Sequence, residues 1–311
     1  MKRSRKKWIA VKVEATKGAA ETLAAADFAI LAFNASLQSA IEFEDRAPVG
    51  LAAGQLVGSP GVHAGRATFS VELRGSGTAG TAPAWAAALQ GCGLTVTNIP
   101  GTSDAYAPTA DLDTQKTVTI ALVEDGRRKV LRGAMGNAVI NGQRNGNKLM
   151  VDFDFQGIWV TPTDDAQPAG ITHETTKPIR FAGGTFTVDA ASQKVSTFRF
   201  DLGNDVQMRA DVEDASGLCH AYIADRRPVA GFDPESDVVA NDDLHADFLT
   251  ATTRAFDATF GTLAGNRAVL DIDRLQIQNP QTEDRSGLLV ERIDCLATAL
   301  DGDDEYSLTL N

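Results

Sequence analysis

Two short stretches indicate the fold class: residues 68–73, TFSVEL, and residues 150–155, MVDFDF. Apolar and polar side chains alternate in both of them. Because successive side chains of a β-strand point to opposite faces, this alternation predicts strands with one buried and one wet face. Residues 8–14, WIAVKVE, alternate in the same way, whereas helical periodicity is sparse. We therefore expect a mainly β protein, a β-sandwich or β-barrel with one short helix per repeat and strands joined by turns.

The sequence also repeats itself. GRRKVL at 126–131 resembles GNRAVL at 265–270, and the same offset of 139 pairs LMV at 149–151 with LLV at 288–290. Each copy has one short helical stretch ahead of its final strands, at 82–89 and at 242–249. The shared order predicts a duplicated domain. A second offset, of 165, aligns four apolar positions further upstream: Phe33, Leu37, Ile41 and Phe43 with Phe198, Leu202, Val206 and Met208.

A polar, proline-bearing segment separates the two copies. TPTDDAQPAG at 161–170 has the composition of an interdomain linker. We predict a first domain at 1–164, which includes an N-terminal arm, and a second domain at 165–311. These two ranges are called the first and the second lobe below. The 311 residues are enough for each lobe to bury a core of its own.

Composition restricts the classes of function. The net charge is −12, which disfavours tight binding to nucleic acid because phosphate affinity comes largely from Lys and Arg. No apolar window reaches the roughly 18 residues of a membrane span, and a strand pattern follows the basic start where a signal peptide would have an apolar region, so no membrane contact and no secretion are expected. Cys92, Cys219 and Cys295 form no CxxC pair, which favours buried thiols in a reducing cytoplasm.

One motif resembles a nucleotide site. GSGTAG at 75–80 has the GxGxxG spacing and lies between a predicted strand and a predicted helix. The strand before it alternates, however, whereas a strand of a dinucleotide-binding domain is buried on both faces. The helix is expected to begin near Pro83, too late for its amides to meet a phosphate held by the glycines. The pattern favours a strand-to-helix loop.

Other candidate ligands have a simpler interpretation. DxD pairs at 111–113, 152–154 and 271–273 could place two carboxylates on one strand face, which is more often the wet face of a half-exposed strand. DGDDE at 301–305 lacks the spacing of a calcium loop and predicts a solvated hairpin turn. No metal-ligand spacing relates the four histidines, and no nucleophile elbow is present. We assign no catalytic, cofactor-binding or metal-binding residue and expect neither a cofactor nor an enzyme. The histidines are His63, His173, His220 and His245.

Four segments resemble one known family. They are KVEATKG at 12–18, the stretch from Phe69 through GSGTAGTAPAW to Cys92-Gly93, VTPTD at 160–164, and IADRRP at 223–228. Together they are similar to the tail tube proteins of long-tailed phages and prophages. The resemblance covers nearly the whole chain, with residues 45–61 as the part that does not match. Its motifs are structural and identify no chemistry.

The resemblance implies a structural virion protein: a major tail tube subunit, made in the host bacterial cytoplasm, that self-assembles into stacked rings and conducts DNA during genome ejection. Two lobes per chain imply a homotrimeric, pseudo-hexameric ring. The implied partners are other copies of the chain, a tape measure protein in the lumen, and tail terminator and tail tip proteins, while DNA passes without specific binding. The implied lumen faces are the polar sides of 118–122 with 127–132 and of 255–260 with 267–273.

Two other classes stay open at this point. A β-sandwich adhesion or binding module of a phage tail or cell surface would expose aromatic side chains along a groove, and the aromatic content is only 6%. An enzyme would need titratable side chains that converge in a cleft, and no motif predicts such a cleft.

Overall fold

A computed structural model describes residues 3, 5–46, 56–143, 148–166 and 168–311. Strands account for 54% and helix for 6%, so the prediction of a mainly β fold with short helices is confirmed. The first lobe contains β1 (Lys7–Val13), β2 (Ala32–Ser39), β3 (Phe43–Arg46), β4 (Leu56–Pro60), β5 (Ala64–Glu72), α1 (Ala87–Gly91), β6 (Leu94–Ile99), β7 (Ser103–Pro108), β8 (Val118–Glu124), β9 (Arg127–Gln143) and β10 (Lys148–Asp164). The second lobe contains β11 (Thr185–Val188), β12 (Ala191–Ser192), β13 (Thr197–Asp201), β14 (Asn204–Ala210), β15 (Leu218–Arg226), β16 (Val229–Phe232), α2 (Leu244–Thr250), β17 (Thr253–Leu263), β18 (Asn266–Ile277), β19 (Gln281–Arg285), β20 (Leu288–Ala297) and β21 (Ser307–Leu310).

The two lobes use the same strand order. In the first lobe the neighbours run β1, β8, β9, β10, β5, β2, and every pair is antiparallel. In the second lobe they run β11, β17, β18, β20, β16, β13, again antiparallel throughout. Each lobe also inserts a hairpin at the same place. The β3–β4 hairpin lies between β2 and β5, and the β14–β15 hairpin lies between β13 and β16.

The repeated sequence motif marks a turn that recurs in both lobes. Gly126 joins β8 to β9 and Gly265 joins β17 to β18, with φ of 88° and 78°. Both glycines occupy the left-handed region, which costs a residue with a side chain more than it costs glycine. The repeat is therefore visible in the sequence because a tight hairpin turn requires the same residue twice.

The predicted helical stretches are shorter than expected. Residues 82–89 become a 3₁₀ turn at Ala84–Ala86 followed by α1, with Pro83 immediately before the turn. Residues 242–249 become α2, and the Asp243 carboxylate caps it by accepting a hydrogen bond from the Ala246 amide at 2.9 Å. Such a cap satisfies one of the amides that lack a partner at a helix start.

A single hydrophobic core runs through both lobes. In the first lobe Phe69 stacks on Phe153 with ring centroids 5.1 Å apart. In the second lobe Phe186 meets Phe256 edge-on at 4.8 Å. Both contacts are formed by the inward side chains of alternating strands, as the alternation in the sequence predicts.

One aligned pair of residues differs between the lobes, and two details differ from the sequence interpretation. Phe198 is buried, but its aligned partner Phe33 is 42% exposed, because a bulge at Asn34, whose φ is 52°, gives the inward position to Ala32. Asp111 and Asp113 lie in a turn and not on a strand, since the Asp111 carboxylate accepts from the Asp113 amide and thereby favours a turn. The strand β10 extends to Asp164, so the predicted linker at 161–170 begins as strand.

Candidate functional site: the junction between the lobes and two free edges

Strand pairing joins the two lobes. Residues 197–201 of β13 pair antiparallel with residues 139–143 of β9, with Thr197 opposite Gln143. Residues 308–310 of β21 pair antiparallel with residues 104–106 of β7. At both places the backbone donors and acceptors of one lobe are satisfied by the other, which removes two strand edges from solvent.

The glycine-rich loop is part of this junction. The Gly77 amide donates to the Gly265 carbonyl at 2.9 Å, and the Gly75 amide donates to Asn266 Oδ1 at 2.9 Å. A Cβ on Gly75 would lie 2.1 Å from the Gly265 carbonyl oxygen. The loop thus meets the β17–β18 turn at backbone contact distance, and glycine is required there by close packing between lobes. Protein occupies the place where a nucleotide would have to bind.

Two of the strand edges that stay open at the described positions correspond to the β9–β13 pairing. Within the described ranges β2 pairs with β5 alone, and β19 pairs with β20 alone. Their counterparts by strand order are β13 and the end of β9, which pair with each other. β13 is thus paired on both sides, with β16 and with β9. The chain therefore makes the junction between β9 and β13 once, and within the described residues the corresponding edges of β19 and β2 are each paired on one side only.

A groove of about 700 Å³ runs along the free edge of β2. Lys7 lies in it, 3.5 Å from the Ala35 carbonyl oxygen and 2.8 Å from Glu124 Oε1. A lysine placed over an open edge is a common protection against unwanted pairing. The groove is lined by apolar side chains and by the exposed Arg5, whereas β19 carries Glu283 and Asp284. The apolar lining residues are Trp8, Ile9, Ile30, Leu31 and Phe33.

Both edges also expose large apolar side chains. Phe33 on β2 is 42% exposed, and Leu288 and Leu289 at the start of β20 are 55% and 63% exposed. Exposed apolar groups at an unpaired edge mark a place where another chain could bury them. None of these three side chains was predicted to be exposed, because a local pattern does not show which strand edge stays open.

A buried carboxylate organises the other face of the first lobe. Glu14 accepts hydrogen bonds from the amides of Gly18 at 2.8 Å and Gly133 at 2.7 Å, and from the hydroxyls of Thr117 at 2.6 Å and Thr119 at 2.8 Å. Four donors replace the water that a buried carboxylate loses. The Glu14 contacts fasten the chain segment after β1 across the sheet, and Thr119 is completely buried. The expectation that the polar side of 118–122 lines a lumen is therefore wrong for this lobe.

The corresponding face of the second lobe is more open. Asp257 on β17 stands directly opposite Asp271 on β18. Burial, together with the hydrogen bond and the negative charge of Asp257, raises the pKa of Asp271 to about 6. Two carboxyl groups this close do not readily ionise together. The pair therefore keeps one proton up to a pH well above the one at which an aspartate usually loses it.

The remaining acidic candidates take part in structural contacts. Asp152 accepts from Asn141 Nδ2 at 2.7 Å, and Asp154 pairs with Arg66. The segment 301–305 is a loop between β20 and β21, which do not pair with each other, so it is not the predicted hairpin turn. Its Asp303 and Glu305 both bind Arg226. In the part of the chain that the structure describes, no group of three or more His, Cys, Asp or Glu side chains is arranged to hold a metal ion.

The cysteines and histidines are dispersed. Cys92 and Cys295 are buried, and burial raises the pKa of both thiols well above the ordinary value, which makes them unreactive at neutral pH. Cys219 Sγ lies 3.0 Å from His220 Nδ1, and burial lowers the pKa of His220. His173 Nδ1 lies 3.0 Å from the Ala29 carbonyl oxygen.

None of the helices at the described positions is long and apolar enough to cross a membrane.

No protein-family model matches the chain, and no curated protein sequence matches it.

Proposed function

We propose that the chain is a major tail tube subunit, a structural protein of a phage virion, and that neighbouring copies repeat the junction that joins its own lobes. One observation carries the proposal: the strand order occurs twice, the β9–β13 junction that connects the lobes is made once, and within the described residues the two corresponding edges stay unpaired. The resemblance of residues 12–18 and 69–93 to tail tube proteins supports the same conclusion.

The two sequence offsets give the expected pairing between copies. Within the chain, residues 139–143 pair with residues 197–201. Adding 139 to the first range gives residues 278–282, which follow the end of β18 and enter β19. Subtracting 165 from the second range gives residues 32–36 of β2. We therefore expect β19 of one copy to pair antiparallel with β2 of the next. The acidic Glu283 and Asp284 would then approach Arg5 and Lys7.

A junction of this kind makes rings. The two paired surfaces differ, so the contact is heterologous and closes when the rotation between copies divides a full turn. Three chains would supply six lobes in a homotrimeric, pseudo-hexameric ring, and rings would stack into a tube. The net charge of −12 would let DNA pass by repulsion. The tape measure, tail terminator and tail tip proteins are the partners that this function requires.

Mass photometry and negative-stain microscopy of the full chain test the proposal. The expected products are rings with three times the 32.9 kDa mass of one chain and, at high concentration, tubes of uniform bore. A protein that is purely monomeric at every concentration, with neither rings nor tubes, contradicts it.

A charged residue at the free edge should prevent ring formation. Phe33→Glu places an anion in the groove that the acidic β19 would fill, and we expect at least tenfold less ring, about 1.4 kcal/mol. The matched control is Leu300→Glu, which changes an exposed leucine in the loop after β20. Both variants should unfold at the temperature of the parent. Equal ring formation by Phe33→Glu and the parent would show that β2 is not the assembly edge.

A further inference from the structure

An open cavity lies where the β14–β15 hairpin of the second lobe packs on the first lobe. Its volume is about 540 Å³, within the range of roughly 300–1,000 Å³ that small-molecule sites occupy. Four parts of the chain line it: the segment after β1, the turn before β8, β9 and the hairpin itself. The cavity is separate from the glycine-rich loop and from the free edges of β2 and β19, whose residues do not line it.

Three basic side chains converge in this cavity. Arg209 on β14 stands directly opposite His220 on β15. Lys17 approaches from the segment after β1, which lies so close to β15 that a Cβ on Gly18 would be 2.4 Å from the Cys219 carbonyl oxygen. Burial lowers the pKa of His220, and the positive charges of Lys17 and Arg209 lower it further. The three groups are therefore close together, and an anion between them would remove their mutual repulsion.

The chain supplies little negative charge to balance these bases. Among the described residues of the lining, Asp113 alone is acidic, and it is exposed. Asp111 lies outside the lining, and its carboxylate is engaged by donors of its own turn. Lys17 Nζ donates to the Leu112 carbonyl, which fixes the ammonium group without neutralising it. Arg209 is exposed and, at the described positions, makes neither an ion pair nor a side-chain hydrogen bond. In a chain with a net charge of −12, this cavity therefore has an excess of positive charge.

The rest of the lining is apolar or uncharged. Met135 is buried and Met208 packs against it, so two flexible thioether side chains form one wall. Gln115 is buried, and its Nε2 donates to the Thr109 carbonyl at 3.0 Å, whereas its Oε1 has no partner within the described ranges. A buried acceptor without a partner is costly, so we expect a water molecule or a bound ligand to satisfy it. An apolar wall beside three bases suits a ligand with an apolar body and an anionic group.

We propose that this cavity binds a small organic phosphate. The phosphate group lies between Lys17, Arg209 and His220, and the apolar body of the ligand lies against Met135 and Met208. A phosphate group accepts several charge-assisted hydrogen bonds at once, and bases on three separate segments donate to it from three directions. A carboxylate carries a single charge and would leave part of the positive charge unbalanced. The site does not depend on self-assembly, because one chain supplies all of these side chains.

Titration calorimetry of the full chain at low ionic strength tests the site with three probes: phenyl phosphate, inorganic phosphate and phenol. We expect phenyl phosphate to bind most tightly, inorganic phosphate more weakly and phenol not at all. Lys17→Gln and Arg209→Gln should each weaken the binding of phenyl phosphate about tenfold, because each removes one charge-assisted hydrogen bond. Met208→Ser should weaken the binding of phenyl phosphate and leave that of inorganic phosphate unchanged. The control is Lys194→Gln, which changes an exposed lysine outside the cavity and should bind both phosphates like the parent.

The proposal is overturned if the folded parent does not bind phenyl phosphate, or if both charge variants bind it like the parent. Inorganic phosphate that binds as tightly as phenyl phosphate contradicts the role given to the apolar wall. A single-stranded oligonucleotide that displaces phenyl phosphate at a lower concentration would identify the surface as a nucleic-acid contact and overturn the small-molecule site. None of these results depends on ring formation, so failure here leaves the tube proposal standing.

Discussion

The two lobes share a strand order but differ in what covers the same face of the sheet. In the first lobe the segment after β1 lies across that face, held by Glu14, and the β14–β15 hairpin packs beside it. In the second lobe only a short turn and β12 follow β11, and the face carries Asp257 and Asp271. This face is covered within the chain in the first lobe, whereas the same face of the second lobe is open to a further copy.

The largest effect should follow from removing Glu14. Its counterpart by position is Asp189, which follows β11 as Glu14 follows β1. Glu14→Ala would leave four buried donors without an acceptor, and we expect a loss of about 3 kcal/mol or more in the free energy of unfolding. Urea denaturation measures the loss.

Asp189→Ala is the matched control for Glu14→Ala. The side chain of Asp189 is 54% exposed, lies 3.8 Å from Arg254 and accepts one hydrogen bond, from the Ala255 amide at 3.0 Å, so its removal should cost about 1 kcal/mol. If the two variants lose equal stability, Glu14 does not organise the first lobe in the way its four contacts indicate.

An intermediate effect on stability is expected where the glycine-rich loop of the first lobe packs on the β17–β18 turn of the second. The β8–β9 turn of the first lobe is held by the hydrogen bond from the Asp125 amide to the Lys6 carbonyl, whereas the β17–β18 turn of the second lobe meets the glycine-rich loop. Gly75→Ala forces a methyl group to 2.1 Å from the Gly265 carbonyl, and we expect a loss of about 2 kcal/mol.

Gly231→Ala is the control for Gly75→Ala, because the first atom its Cβ would meet is a carboxylate oxygen of Asp294 at 3.3 Å. Thermal unfolding should therefore separate the two alanine variants. A Gly75→Ala protein as stable as Gly231→Ala would mean that the loop can move away from the turn at little cost.

The smallest effect should be the pH dependence that Asp271, on the open face of the second lobe, gives to the free energy of unfolding. Asp271 keeps its proton to about pH 6 in the folded chain, whereas an unfolded aspartate loses it near pH 4. The folded state therefore binds the proton more tightly, and stability falls as the pH rises from about 4 to about 6 and stays lower above that.

Asp271→Asn should remove this loss. We expect the variant to be more stable than the parent at pH 7.5, by under about 1 kcal/mol because the pair is partly solvated, and equal to it at pH 4. Asp273→Asn, an exposed neighbour on β18, should show little change. A constant difference between Asp271→Asn and the parent across this pH range would exclude a shared proton as the cause.

Local patterns determined much of the fold in advance. Alternation at 68–73 and 150–155 predicted strands, and the repeated glycine at 126 and 265 marked two equivalent turns, because both features depend on neighbours in sequence. The lumen face that the resemblance implied at residues 118–122 is buried, and no pattern indicated that Phe33 would be exposed. A bulge at Asn34 and the covering segment after β1 decide which side chains are exposed, and neither depends on the alternating pattern.

The sequence by itself determined that this is a mainly β chain with a repeated arrangement of strands, because strand periodicity and turn glycines are local properties. Only the tertiary structure decided how the two lobes meet: β9 pairs with β13, the glycine-rich loop packs on the β17–β18 turn, and β2 and β19 are each paired on one side only in the part of the chain that the structure describes. Pairing between distant strands is set by the packing of the whole core, so the edges that remain for another copy cannot be read from any single stretch.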